Sequence, residues 1–185
     1  MKNVPGVAKV SCFFVSSFWL SGGRQARLKA IVGAHMSTEF QHFGLRLHQH
    51  IGDEKVFELL VNHQPYLPVL RSFESAFVGK SVEKSAGKIA GDYQPGLDIR
   101  ALINHQKNIV PFVCTCIDPS CWFITVNVEI IQDVNASYVI WHGWRNPYRS
   151  DKSKKLQGLY WDYSDLPPLM FAYEQYQAEI ARVTE

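Results

Sequence analysis

The densest alternation of apolar and polar positions runs from Ile109 to Ile131, IVPFVCTCIDPSCWFITVNVEII, where β-branched and aromatic residues flank Asp118-Pro119-Ser120. Residues of those three types turn a chain back on itself, so the stretch predicts a β-hairpin. With a loop over Ile117 to Ser120, Cys116 faces Cys121 and Cys114 faces Phe123. The period of two then sets Val110, Phe112, Cys114, Cys116, Cys121 and Phe123 on one face, and Val113, Ile124, Val126 and Val128 on the core-facing other.

Upstream, apolar positions alternate at Phe43, Leu45 and Leu47, and Lys55 to Val61 supplies an antiparallel partner across Gly52-Asp53. Asn62-His63-Gln64 turns the chain. Pro65 and Pro68 then introduce a short helix whose Leu67, Leu70, Phe73 and Phe77 fall at helical spacing, leaving Arg71 and Glu74 outward or locally paired. Val78 to Gly96 has no sustained period and reads as a long loop, followed by one or two helical turns in Leu97 to Ile103. Downstream, Tyr138 to Trp144 predicts a strand with Tyr138, Ile140 and His142 on one face and Val139, Trp141 and Gly143 on the other. A further strand is expected over Leu156 to Tyr163, ended by Pro167-Pro168. Tyr173, Tyr176, Ile180 and Val183 form the buried stripe of a C-terminal amphipathic helix over Phe171 to Val183, with Glu174, Gln177 and Glu179 pointing away. The whole predicts an α+β fold, a mainly antiparallel meander of about six strands with a few helices on one face.

Residues 1–35 break the pattern. Lys2 and Lys9 precede an apolar run from Val10 to Leu20, then Ser21-Gly22-Gly23 and the basic stretch Arg24 to Lys29. Two readings fit: a secretory signal, with export if residues 1–23 act as one, or an N-terminal extension preceding a natural start at Met36. The run is too short to span a membrane, so no membrane association is expected and the cytoplasm is the expected compartment. At 46% hydrophobic, the 185 residues suffice for one domain with a core, assigned to residues 36–185.

Charge removes one class of function. Nineteen basic residues against 17 acidic ones leave +2, without the basic excess of a nucleic-acid surface. No G-x-S-x-G, H-E-x-x-H, Walker loop or G-x-G-x-x-G occurs, which removes the cheapest support for hydrolase, zinc-protease and nucleotide chemistry. Three of the four cysteines share the hairpin. Cys114, Cys116 and Cys121 have three readings: packed free thiols, a metal site such as zinc completed by His142 or His105, or a Cys116–Cys121 disulfide or redox pair. The preferred expectation is no bound metal. His48 and His50 share a strand face as a two-ligand pair would, although a solvated polar edge is the simpler reading.

Four of the five tryptophans follow residue 120, and several sit beside a basic loop, RNPYRSDKSKK. Trp141, Trp144, Arg145, Tyr148, Arg149 and Trp161 are therefore the candidate binding patch, where rings and guanidinium groups stack on a partner or clasp a carboxylate or phosphate, although packed tryptophans with solvated arginines are the simpler reading.

Several motifs resemble those of a widespread family of small uncharacterised bacterial proteins, over roughly residues 44 to 183. Leu67 to Ala76 resembles its short helix with Phe-Glu, and Lys88-Ile89-Ala90-Gly91-x-Tyr93 its small-Ile-Ala-Gly-x-Tyr loop. Val110-Pro111 through Cys121-Trp122 resembles a Val-Pro, C-x-C-Gly, Gly-Cys-Trp-Pro hairpin, with Ile117, Ser120 and Phe123 departing from it. Trp141 through Arg149 resembles Trp-x-x-aromatic followed by Gln-Pro-His-Arg, with Asn146 and Tyr148 in place of Gln and His, and Gln175-Tyr176 matches a pair in the terminal helix. The residues together favour a non-enzymatic binding protein with a protein partner, such as an immunity or accessory factor. The alternative is a small enzyme or a thiol- or zinc-dependent protein built on the cysteine hairpin.

Overall fold

A computed structural model describes residues 39–51, 54–77, 92–116, 121–132, 134, 136–157 and 160–185. The leader reading of residues 1–35 and the tip of the cysteine hairpin, residues 117–120, lie outside them, as do residues 78–91 of the long loop.

The expected antiparallel, sheet-rich α+β architecture is present, but its strands divide between two sheets instead of forming one meander. The first contains β1 (Phe43–Ile51), β2 (Glu54–Val61) and β3 (Gln64–Pro65), with β5 (Leu97–Asp98) also on β2. The second runs in the order β4 (Tyr93–Pro95), β6 (Asn108–Cys114), β7 (Phe123–Gln132), β8 (Ser137–Arg145) and β9 (Leu169–Ala172). Among the described residues three helices accompany them: α1 (Leu67–Ser75), the short α2 (Ile99–Ile103) and α3 (Tyr173–Thr184).

Local chemistry explains the joints. Asn62 and His63 both hold positive φ, 52° and 64°, the requirement of a tight two-residue hairpin turn, and they connect β2 to β3. The Asn62 side-chain oxygen accepts the His42 N–H at 2.7 Å, locking that turn to the start of the domain. Asp98 caps α2, its carboxylate accepting the Arg100 N–H at 2.9 Å.

Two irregularities correct the predicted faces. In the central hairpin Phe112 pairs with Ile124 and Val113 with Phe123, one residue away from the expected register, so Phe112 and not Val113 joins Ile124, Val126 and Val128 in the core. The pairing shifts between Ile109 and Phe112, where Pro111 has no N–H to donate to a ladder. On β8, Gly143 has φ of +65° and marks a second shift, opposite Thr125 to Asn127. The extra residue turns Trp144 onto the side of Trp141, and their ring centroids lie 6.4 Å apart inside the core.

Among the described residues of Leu156–Tyr163 the predicted strand does not form. A 3-10 turn spans Lys152–Gln157 instead, and Trp161 and Tyr163 are buried from an irregular segment. The strand that does pair with β8 is β9, after the two prolines. α3 forms as expected, with Tyr176 and Ile180 buried, but Glu179 does not point away. Its carboxylate accepts the Leu45 N–H at 2.6 Å, while Gln175 bonds both the N–H and C=O of Phe43, and Arg182 donates to the Leu45 carbonyl at 2.8 Å. Helix side chains thus occupy the open edge of β1. No helix among the described residues is long and apolar enough to cross a membrane.

Candidate functional site

The chemistry gathers where the cysteine hairpin meets the loop after β8. Cys114 ends β6, Cys116 lies in the turn beyond it, and Cys121 immediately precedes Trp122 and β7. Their three sulfurs lie within 4.8 Å of one another, so the cluster forms despite the shifted register. Cys116 donates to the Cys114 sulfur at 3.1 Å, and the Cys114 N–H donates to the Trp122 carbonyl at 2.8 Å. All three are thiols, with Cys114 buried, Cys121 half-buried and Cys116 exposed. Hydrogen bonds to Cys114 and then Cys116 push the Cys121 thiol up to about 11. As a donor set, three clustered sulfurs suit a soft metal ion.

The histidines expected to complete such a site stand elsewhere. His142 Nε2 lies 3.1 Å from a Glu129 carboxylate oxygen on the neighbouring strand, and neither it nor His105 belongs to the sulfur group. His48 is exposed, and the side chain of His50 lies outside the described residues. His42 packs instead against His63, with ring centroids 4.0 Å apart and planes tilted by 32°.

The six residues of the predicted aromatic and arginine patch separate into two sets. Trp141, Trp144 and Trp161 are core residues, and Arg149 is 3% exposed. Arg145 and Tyr148 are exposed. Arg149 lies between two indoles, its guanidinium carbon 4.0 Å from the Trp122 ring centroid and 3.4 Å from that of Trp161. Such stacking suits the flat, weakly hydrated guanidinium and would suit lysine poorly. The backbone reinforces it: the Arg149 N–H donates to the Asn146 carbonyl at 3.0 Å, and the Trp161 N–H to the Arg149 carbonyl at 2.9 Å.

Beside this clamp lies a polar centre around Glu74, which was expected outward or locally paired. Glu74 is fully buried. Tyr163 and Tyr93 both donate to its Oε1, at 2.6 and 3.1 Å, and the amide of the fully buried Asn146 donates to the Tyr93 hydroxyl at 2.8 Å. Burial, and then the Glu74 charge, raises both tyrosines far above their ordinary range. Burial pulls Arg149 down, opposed by Tyr163, Tyr93 and Glu74. A signal for this existed in the sequence: Glu74 lies four residues after Leu70 and three before Phe77, on the apolar stripe of α1.

Glu74, Tyr93, Trp122 and Arg149, far apart in the chain, thus meet here. No protein-family model, curated protein or solved structure matches the chain.

Proposed function

We propose that this chain is a non-enzymatic binding protein that engages a protein partner through the rim formed by Arg145, Tyr148 and the adjoining Trp122 and Phe123. One observation carries the reading: the loop after β8 is fixed from beneath by the Trp122–Arg149–Trp161 stack, so its exposed side chains project from an ordered base. The Tyr148 ring meets Phe123 edge-on at 5.9 Å, and Arg145 Nε donates to Thr125 Oγ1 at 3.1 Å, which ties both exposed residues to β7. Pre-ordered tyrosine and arginine side chains lose little entropy on association, which is why such residues dominate binding hot spots.

The partner surface is acidic. The segment that follows exposes Lys152, Lys154 and Lys155 against Asp151, a local excess that the nearly neutral whole chain conceals. An immunity or accessory role is compatible with that chemistry. Binding measured against salt tests it: the association should weaken as ionic strength rises, and a partner held equally well in high salt would reject the acidic-surface reading.

A second reading, a metal-dependent protein with zinc as its ion, is supported by the three clustered sulfurs. It is compatible with the first, because the cysteine hairpin adjoins the same rim.

A further inference from the structure

The sulfur cluster and the arginine clamp meet where Cys121 directly precedes Trp122. We propose that Cys114, Cys116 and Cys121 together hold one thiophilic cation, zinc or monovalent copper, and that loading it fixes Trp122 on Arg149.

Donor geometry comes first. A metal–thiolate bond of about 2.3 Å places three sulfurs on one ion on the order of 3.8 Å apart, so no pair within the 4.8 Å group closes by more than about 1 Å, and the Cys114–Cys116 pair, at 3.1 Å, opens by less than about 1 Å. Sulfur donors select soft ions over magnesium or calcium, and three protein ligands leave a position for a further donor. Access is open on the side of the exposed Cys116, while Cys114 is anchored inside.

Coupling follows from the backbone. Cys121 is bonded directly to Trp122, and the Trp122 carbonyl accepts the Cys114 N–H, so two of the three ligands border this one residue. On the other side, Cys114 is paired in register with Tyr93, which donates to Glu74. An ion joining Cys114 and Cys116 to Cys121 therefore ties the end of β6 to the residue that precedes Trp122, whose ring covers Arg149 at 4.0 Å. Metal occupancy becomes a determinant of how firmly the loop after β8 is held.

The test uses the full chain, purified under reducing conditions without a polyhistidine tag. Native mass spectrometry and metal analysis give the ion as isolated. Titration of metal-free protein with Zn(II), Cu(I) and the probe Cd(II) gives stoichiometry, and tryptophan emission is followed in parallel. One ion per chain is expected, with affinity lowered by about a hundredfold or more in Cys116→Ser and Cys121→Ser, since even outer-shell partners are worth ten- to a hundredfold. Cys116 is exposed, so its replacement leaves the folded core intact, and Cys12→Ser controls for the remaining cysteine. Emission should change on loading in wild type and much less in Trp122→Phe. Failure of all three ions to bind at micromolar concentration, or binding that survives in Cys116→Ser, overturns the site. Stoichiometric binding without an emission change dependent on Trp122 overturns the coupling.

Discussion

Glu74 illustrates how much one side chain organises. A carboxyl group with no exposed surface is stabilised only if hydrogen bonds replace the water it lost, and two tyrosine hydroxyls converge on the same oxygen to do so. Glu74→Ala leaves both hydroxyls without that acceptor and should cost about 3 kcal/mol in urea unfolding. Glu74→Gln keeps an acceptor oxygen of the same shape and should cost less, so equal losses in the two variants would show that the charge alone matters. Gly143 is a second such position. Its φ of +65° disfavours any side chain, and an added Cβ would come within 2.7 Å of the Asn127 amide nitrogen. Gly143→Ala should destabilise by about 1–3 kcal/mol, and a loss below the reproducibility of the melt would mean that the bulge relaxes.

At the scale of elements, α3 does more than cover the core. An edge strand offers unpaired N–H and C=O groups to any other strand, and β1 is such an edge. Gln175, Glu179 and Arg182, spaced four and three residues apart on one helix face, reach alternate residues Phe43 and Leu45 of the strand. Burial alone would raise the Glu179 carboxyl, but the hydrogen bonds from Arg182 and the Leu45 N–H outweigh it and hold the group below its ordinary value. A depressed carboxylate contributes stability that is fully present above the unfolded value and is lost as pH falls through the folded one. Wild type should therefore exceed Glu179→Gln in stability at neutral pH, with the gap closing in the acid range below about pH 4.5. A gap that stays constant on acidification would assign the effect to packing.

For the molecule as a whole, the sequence made the local pairings legible and left the long-range ones hidden. The β1–β2 and β6–β7 hairpins, β8 and α3 follow from period and turn chemistry that lie within a few residues of each other. The division into two sheets does not, because it depends on β5 joining β2 and on β9 replacing the expected Leu156–Tyr163 strand. Irregular positions misled the face assignments for the same reason: one added residue at Pro111 or Gly143 inverts the alternation beyond it. The candidate site was half visible. Arginine and tryptophan side by side indicated stacking, and Arg149 does stack, but inside the molecule, whereas Glu74 was hidden by the habit of placing charges outside.

If the buried clamp presents Arg145 and Tyr148 to a protein partner, capture of that partner depends on both side chains. Quantitative recovery of bound partner from the native host by the Arg145→Ala, Tyr148→Ala double variant, beside wild type and the distant surface variant Val134→Ser, tests it most directly. Both substituted positions are exposed, so the melting temperature should stay within about 2 °C of wild type. The predicted result is a partner recovered by wild type and Val134→Ser and lost by the double variant. Equal recovery by all three proteins would contradict the claim.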